Sequence, residues 1–333
     1  MRYLIGLITL AAVLWSGYWF VGSTTKRHVL ASWLEERRES GWVAEYTDFD
    51  VVGFPNRFDS RFTEIRLGDP TSGIVWSAPF FNILALSYKP NHIITVWPPE
   101  QVLAFPNDKI TIKSSKLQAS VVFEPDTKLA VSQTALRSDS LALKGTAGWE
   151  TSMSDLAFST RVAGGDPLSH DVVFKANAVK PTDAFRQTLD RTGTLPSVIE
   201  SLALDMTLGF NAPWDRIAIE TGVPEVTVIK FNSVTATWGV LDLQATGRLD
   251  VAKNGTLSGK IDLDIKNWQR VLSLLVNSGL VDQQLAATMQ QGLTFLTMMT
   301  GAPTTLKAPL SFSNGSWSIG PIPLGTAPRF VRE

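Results

Sequence analysis

The stretch LDLQATGRLDVAKNGTLSGKIDLDI, residues 241–265, alternates apolar and polar side chains on both sides of an Asn-Gly. Such alternation predicts strands with one apolar and one wet face, and Asn-Gly predicts a tight turn between them. A two-residue Asn254-Gly255 loop would pair Val251 with Ser258 and Leu249 with Lys260, mixing the two faces. Because side chains alternate with period two, a shift of one residue repairs every pair at once. With Lys253-Asn254-Gly255 as a three-residue loop, Val251 meets Leu257, Leu249 meets Gly259, Gly247 meets Ile261 and Ala245 meets Leu263. Gly255 then occupies the left-handed position, where glycine has no Cβ to clash. The last hairpin behaves oppositely. A two-residue Asn314-Gly315 loop there pairs Phe312 with Trp317 and Leu310 with Ile319.

Outward from this hairpin, the chain keeps the same grammar. KLQASVVF (116–123) and HDVVFKANAV (170–179) alternate, and turn signals such as GDPTSG, KPN and EPD recur at short intervals. VIESLALDMTLGF (198–210) places Leu202, Leu204, Met206, Leu208 and Phe210 at successive even positions. PTDAFRQTLDRTG reads as a short helix, with Thr182 or Asp183 as N-cap and Gly193 past its end. Two further helices follow, the second with Val281, Leu285, Met289, Leu293, Leu296 and Met299 on one face. The expected fold is mainly β with α: an N-terminal transmembrane helix, then large curved antiparallel sheets with a few covering helices. The expected divisions are an anchor at 1–23, a juxtamembrane helix at 24–41, and β-rich halves at 42–179 and 180–333. Helices are expected near 182–191, 267–278 and 281–299.

Residues 3–22, YLIGLITLAAVLWSGYWFVG, are uncharged. At about 1.5 Å per residue they span about 30 Å, the thickness of a bilayer core. Tyr18, Trp19 and Phe20 crowd the far end like an interfacial aromatic belt. A cleaved signal peptide is the competing reading, because Val21-Gly22-Ser23 offers small residues before a cut. The length of the run and the bulk of the aromatics favour an uncleaved anchor. Arg2 before the span and Lys26-Arg27 after it nearly balance, so orientation rests on the short N-terminal tail, which is expected to stay in the cytoplasm. In a bacterium this describes a single-pass inner-membrane protein with a periplasmic body. In TTKRHVLASWLEERRES (24–40), Val29, Leu30, Trp33 and Leu34 form a stripe expected to dock on the chain's own sheet.

Composition excludes several functions. Thirty Lys+Arg against 31 Asp+Glu leave a net charge of -1, so no nucleic-acid partner is expected. Cysteine is absent, which removes thiolate catalysis and Cys-ligated metals. His28, His92 and His170 show no metal-ligand spacing, and no cofactor is expected. The SxxK at Ser23–Lys26 lacks the rest of a penicillin-binding signature, and NGSWSIG reads as a hairpin rather than a nucleophile elbow. Asp262 and Asp264 lie on the polar face of a strand, as solvated charge does. In GFPNRF, Gly53 and Pro55 read as a turn, the alternative being a lipid headgroup contact through Arg57. The eleven tryptophans read as β-core fillers whose N–H finds a backbone acceptor.

Taken with the anchor, VVGFPNRFD (51–59), Trp97-Pro98-Pro99 and WSIGPIPLG (317–325) resemble, in order and spacing, an uncharacterised bacterial family, domain of unknown function 2125. More remotely, ATGRLDVAKNGTLSGKIDLDIKNW followed by helices is similar to the strand units of AsmA-like envelope proteins. That similarity implies inner-membrane anchoring and an apolar groove for lipids. The expected function is a non-enzymatic envelope protein that binds or shields lipid acyl chains. Its groove candidates are Leu202, Leu204, Met206, Leu208, Phe210, Leu249, Val251, Leu257, Ile261 and Leu263. A structural or protein-interaction component with a closed core is the alternative, and a periplasmic hydrolase the third. Oligomeric state is not legible.

Overall fold

The computed structural model describes residues 1–190, 193–279, 281–299 and 301–330. The chain is mainly β with α, and the strand pairings described below are antiparallel. Its first elements are α1 (Arg2–Glu39), β1 (Val43–Glu45), β2 (Asp48–Val52), β3 (Asp59–Asp69), β4 (Ile74–Leu86), β5 (Lys89–Val96), β6 (Glu100–Ala104), β7 (Lys109–Ser115), β8 (Gln118–Phe123) and β9 (Val131–Gly145). There follow β10 (Glu150–Ala163), β11 (Asp166–Lys180), α2 (Asp183–Leu189), β12 (Ile199–Phe210), α3 (Arg216–Thr221), β13 (Val226–Trp238), β14 (Leu241–Val251) and β15 (Leu257–Lys266). The last are α4 (Trp268–Asn277), α5 (Gln283–Met299), β16 (Thr305–Ser313), β17 (Ser316–Ile319) and β18 (Ile322–Thr326). Two compact units emerge: Met1–Pro125 with Leu136–Gly148, and Asp126–Ala135 with Trp149–Glu333. Within the second unit β10 pairs with β11 and β11 with β12, as in Phe158–Phe174 and Phe174–Leu204.

In the first unit α1 is continuous over 38 residues, about 57 Å at 1.5 Å per residue. It does not break between the apolar run and the juxtamembrane segment. Leu34 and the partly buried Leu30 pack on Ala44, Phe49, Phe62 and Ile65, so the helix docks on its own sheet. The expected stripe is narrower than four residues, since Val29 and Trp33 are exposed. Arg37 covers Trp33 from outside, its guanidinium 5.4 Å from the ring centre. The sheet under α1 is a meander whose long strands are interrupted at one level. Tyr46-Thr47 separates β1 from β2, Glu64 takes a positive φ in β3, Pro79 sits in β4, and Trp97-Pro98-Pro99 separates β5 from β6. Lys116-Leu117 separates β7 from β8. Register sets these breaks opposite one another, with Thr63–Phe80 and Ile65–Ala78 flanking Glu64 and Pro79. Proline donates no ladder bond and is tolerated at such irregularities.

The second unit carries the β14–β15 hairpin around Asn254-Gly255. Val251–Leu257, Leu249–Gly259, Gly247–Ile261 and Ala245–Leu263 are paired as expected. Ala252 and Thr256 close the three-residue loop through a 2.9 Å backbone bond, and Gly255 has φ 77. The last hairpin pairs Phe312–Trp317 and Leu310–Ile319, with Asn314 and Gly315 both at positive φ. The same dipeptide therefore makes two different turns. Thr182 caps α2 by accepting from Phe185 N at 3.3 Å, and the helix ends at Leu189. Residue 191, the expected end of that helix, lies outside the described residues. In α5, Met289 and Leu293 are buried, but Met299 is exposed and Thr297 takes the buried place in the last turn. Successive steps of four keep 289, 293 and 297 on one face, while 299 falls about 160° from 293's neighbour at 297 less than one turn later, on the outer side.

Candidate functional site

Period-two alternation in seven neighbouring strands, β10 to β16, builds one continuous apolar face in the second unit. Its cross-strand rows read Phe158–Phe174–Leu204–Val234–Ala245–Leu263–Ala308 and Val172–Met206–Phe231–Gly247–Ile261–Leu310. A bulge at Asn232-Ser233 in β13 brings Phe231 and Val234, of opposite parity, onto the same side. The reverse face is polar and internally paired. Lys260 reaches Asp262 at 2.8 Å, Lys307 reaches Asp264 at 2.9 Å and Lys266 reaches Asp242 at 3.3 Å. Asp262 and Asp264 are thus surface charge rather than an acid–base pair.

Covering divides the ten candidate residues. Leu249, Val251 and Leu257 are buried with Phe312 and Ala327, and Phe330 and Trp317 pack on that cluster. The C-terminal segment is held there by Phe330 N donating to Gly255 O at 2.8 Å. Ile261 lies at the margin of this cluster. Leu263 lies under α4 and α5, against a core of Ile265, Trp268, Leu272, Met289, Leu293 and Leu306. Leu202 flanks Ala176, Val179 and Ile199, while Phe210 is buried against His170 and Trp214. Leu204, Met206 and Leu208 are half-buried and belong to no buried cluster among the described residues. Phe158, 37% exposed, lies in the same row as Leu204. The sequence reading did not single out Phe158, Phe231 or Val234; the bulge conceals the last two from a parity count.

His170 pairs with Leu208, and burial lowers its pKa despite the neighbouring Asp171 carboxylate. It is a core imidazole. Among the described residues no group of three His, Asp or Glu side chains is placed to hold a metal. A separate concavity of about 690 Å³ lies at the interrupted level of the first unit, with Ile65 and Ala78 at its floor. Its charges are already engaged, Arg66 with Glu45 at 2.8 Å and Glu64 with Thr47 at 2.7 Å.

The first unit also grips α1 through the loop that follows β2. Trp19 is 6% exposed and donates to Arg57 O at 2.7 Å; Trp15 donates to Pro55 O at 3.0 Å and Tyr18 to Ser87 O at 2.7 Å. A Cβ on Gly22 would lie 2.5 Å from Phe58 Cζ, so that glycine lets the ring lie on the helix. Ser23 Oγ donates to Phe20 O while Lys26 Nζ donates to Phe58 O, which separates the two polar groups of the SxxK.

The family described as "Uncharacterized protein conserved in bacteria (DUF2125)" matches residues 19–328. The chain belongs to this family. No curated protein and no solved structure matches it. Three stretches within the matched range have distinct structural roles. VVGFPNRFD is the grip on α1. Trp97-Pro98-Pro99 is the interruption between β5 and β6, held by Trp97 N donating to Leu117 O and Ser114 N to Pro99 O. WSIGPIPLG forms β17 and β18, where Trp317 donates to Leu324 O at 3.2 Å and Ile322 enters the helix–sheet core beside Gly292. The indoles of Trp238 and Trp268 likewise donate to backbone carbonyls, of Pro196 and Pro303.

In this DUF2125 chain, burial lowers the pKa of Lys26, with the Asp59 carboxylate opposing the shift. A lysine pKa lower in the folded than in the unfolded chain means fewer protons bound when folded. Stability of the first unit is therefore expected to rise with pH across the window between the lowered value and the usual lysine pKa of about 10.4. Denaturant midpoints measured across that window should show the rise, and Lys26→Met should flatten it.

Proposed function

We propose that this is a single-pass, membrane-anchored bacterial envelope protein that holds acyl chains on the uncovered part of its second-unit sheet. The observation that carries the acyl-chain reading is the apolar strip of Leu204, Met206 and Leu208, half-buried and in none of the buried clusters among the described residues, with the exposed Phe158 two strands away in the row of Leu204. Each acyl CH₂ removed from water on such a strip contributes about 0.8 kcal/mol. Anchoring is supported by α1, the one described helix long and apolar enough to cross a membrane. Retention of the segment is supported by Trp19 and Ser23, which are buried in the first unit. Cleavage after residue 22 would strip a core tryptophan from the fold. The proposed topology puts the start of α1 on the cytoplasmic side of the inner membrane and the body in the periplasm.

A photoreactive fatty acid incorporated into membranes carrying the full chain tests the acyl-chain reading. Crosslinks are expected on β12 peptides. Met206→Glu should reduce them about tenfold, equivalent to about 1.4 kcal/mol. Lys230→Glu, on the polar side of the neighbouring strand, should leave them unchanged. Labelling confined to α1 would reject the strip as a lipid site. The second reading, a structural component with a closed core, is favoured by the covering of Leu249, Val251 and Leu257, and it predicts that α1-only result.

A further inference from the structure

The apolar run of α1 is longer than the part of it that stands free. Residues 3–14 are exposed throughout and cover about 18 Å, whereas a bilayer core is about 30 Å thick. Closing that gap requires residues 15–22, and these are the residues that the body grips. Pro55 O, Arg57 O and Ser87 O accept from Trp15, Trp19 and Tyr18, while Phe54 stacks on Phe20 at 5.8 Å between centroids. Whatever depth Trp15 to Phe20 occupy, the loop 53–58 and the turn 87–88 occupy with them.

The chemistry of the two loops suits that depth. Phe54 is 52% exposed and Tyr88 64%, the amphipathic and aromatic surface found at bilayer interfaces. Residues 53–58 and 87–89 contain no carboxylate, while Arg57 and Lys89 are exposed cations of the kind that pair with lipid headgroups. The three polar donors at the end of the span all reach backbone carbonyls, as groups placed near hydrocarbon require. Pairing with the buried Asp59 at 2.8 Å orients Arg57 and leaves it 47% exposed. That geometry joins the turn to the headgroup contact, which the sequence reading set against each other.

We propose that the loop 53–58 and the turn 87–88 enter the lipid interface beside α1, so that the first unit is seated in the bilayer surface at three points. This rests on the reading of α1 as a retained membrane anchor. The bilayer itself is the partner, through its acyl–headgroup boundary.

Because the chain has no cysteine, single labels report depth cleanly. Phe54→Cys, Asn56→Cys, Tyr88→Cys, Leu10→Cys and Ser72→Cys would each carry an environment-sensitive fluorophore on the full chain in phosphatidylcholine–phosphatidylglycerol vesicles. Ser72 lies in the turn at the opposite end of β3 and β4. Nitroxide placed high on the lipid acyl chain is expected to quench positions 54, 56 and 88 several times more than position 72. Aqueous iodide should show the reverse order, and nitroxide near the bilayer centre should quench position 10 most. If 54, 56 and 88 behave like 72 while 10 is quenched by lipid, the seating is overturned and the anchor stands. If 10 escapes lipid quenching as well, both readings fall.

Discussion

Trp19→Ala is expected to destabilise the first unit by about 4 kcal/mol, within the range of about 3–5 for truncating a buried tryptophan. Three losses add. The indole packs between Phe54, Phe58 and Phe20 at centroid distances of 5.3 to 6.1 Å, and alanine leaves that space empty. Its N–H no longer reaches Arg57 O, leaving a carbonyl without its donor. The loop then loses one of the side chains that hold it to α1. Trp19→Phe separates these terms, because it keeps most of the ring and forgoes the hydrogen bond, at about 1–2 kcal/mol. Denaturant unfolding of the full chain in detergent, with proteolysis of the 53–58 loop as a local probe, measures both. A loss below about 1 kcal/mol for alanine would mean that the segment is an appendage of the fold.

Gly259→Ala should cost about 3 kcal/mol, from backbone strain at positive φ together with overpacking. Gly259 has φ 135, and a Cβ there would lie 2.2 Å from Arg248 O and 3.1 Å from Leu249 Cα. Both atoms belong to the backbone of the paired strand, so no flexible side chain can move aside. Gly247 shows the reciprocal approach, with Lys260 O 2.3 Å from its ideal Cβ. The two glycines let β14 and β15 close on each other in the middle of the apolar face. Ser258→Ala, one residue away and exposed, should shift stability by less than about 0.5 kcal/mol. Equal effects at 258 and 259 in thermal unfolding would remove the close approach as the cause.

The parts of the fold that were legible are those decided within a few residues. Both Asn-Gly hairpins were placed in register by asking which loop length keeps apolar residues on one face. The cap of α2 is legible to within Thr182 or Asp183, because a cap acts on the turn beside it, and the structure selects Thr182. Phe231 and Val234 were not legible, since the bulge between them changes parity and leaves no mark in residue type. Gly22 looked like a small residue before a cleavage site. Its size is explained by Phe58, 36 positions along the chain. For the same reason GFPNRF was readable as a turn but not as the grip on α1.

Local chemistry alone thus accounts for the antiparallel strands, the two hairpin registers, the apolar span and the apolar alternation of β11, β12, β14 and β15. Side-chain alternation and turn conformation are properties of neighbours, and they need no knowledge of the rest of the chain. Which part of the apolar face is covered is a different quantity. Leu249, Val251 and Leu257 lie beneath the C-terminal segment and Leu263 lies by α4 and α5, whereas Leu204, Met206 and Leu208 keep partial exposure. All seven read alike as strand residues. Only contacts made by segments tens of residues away distinguish them, because burial depends on what arrives from a distance.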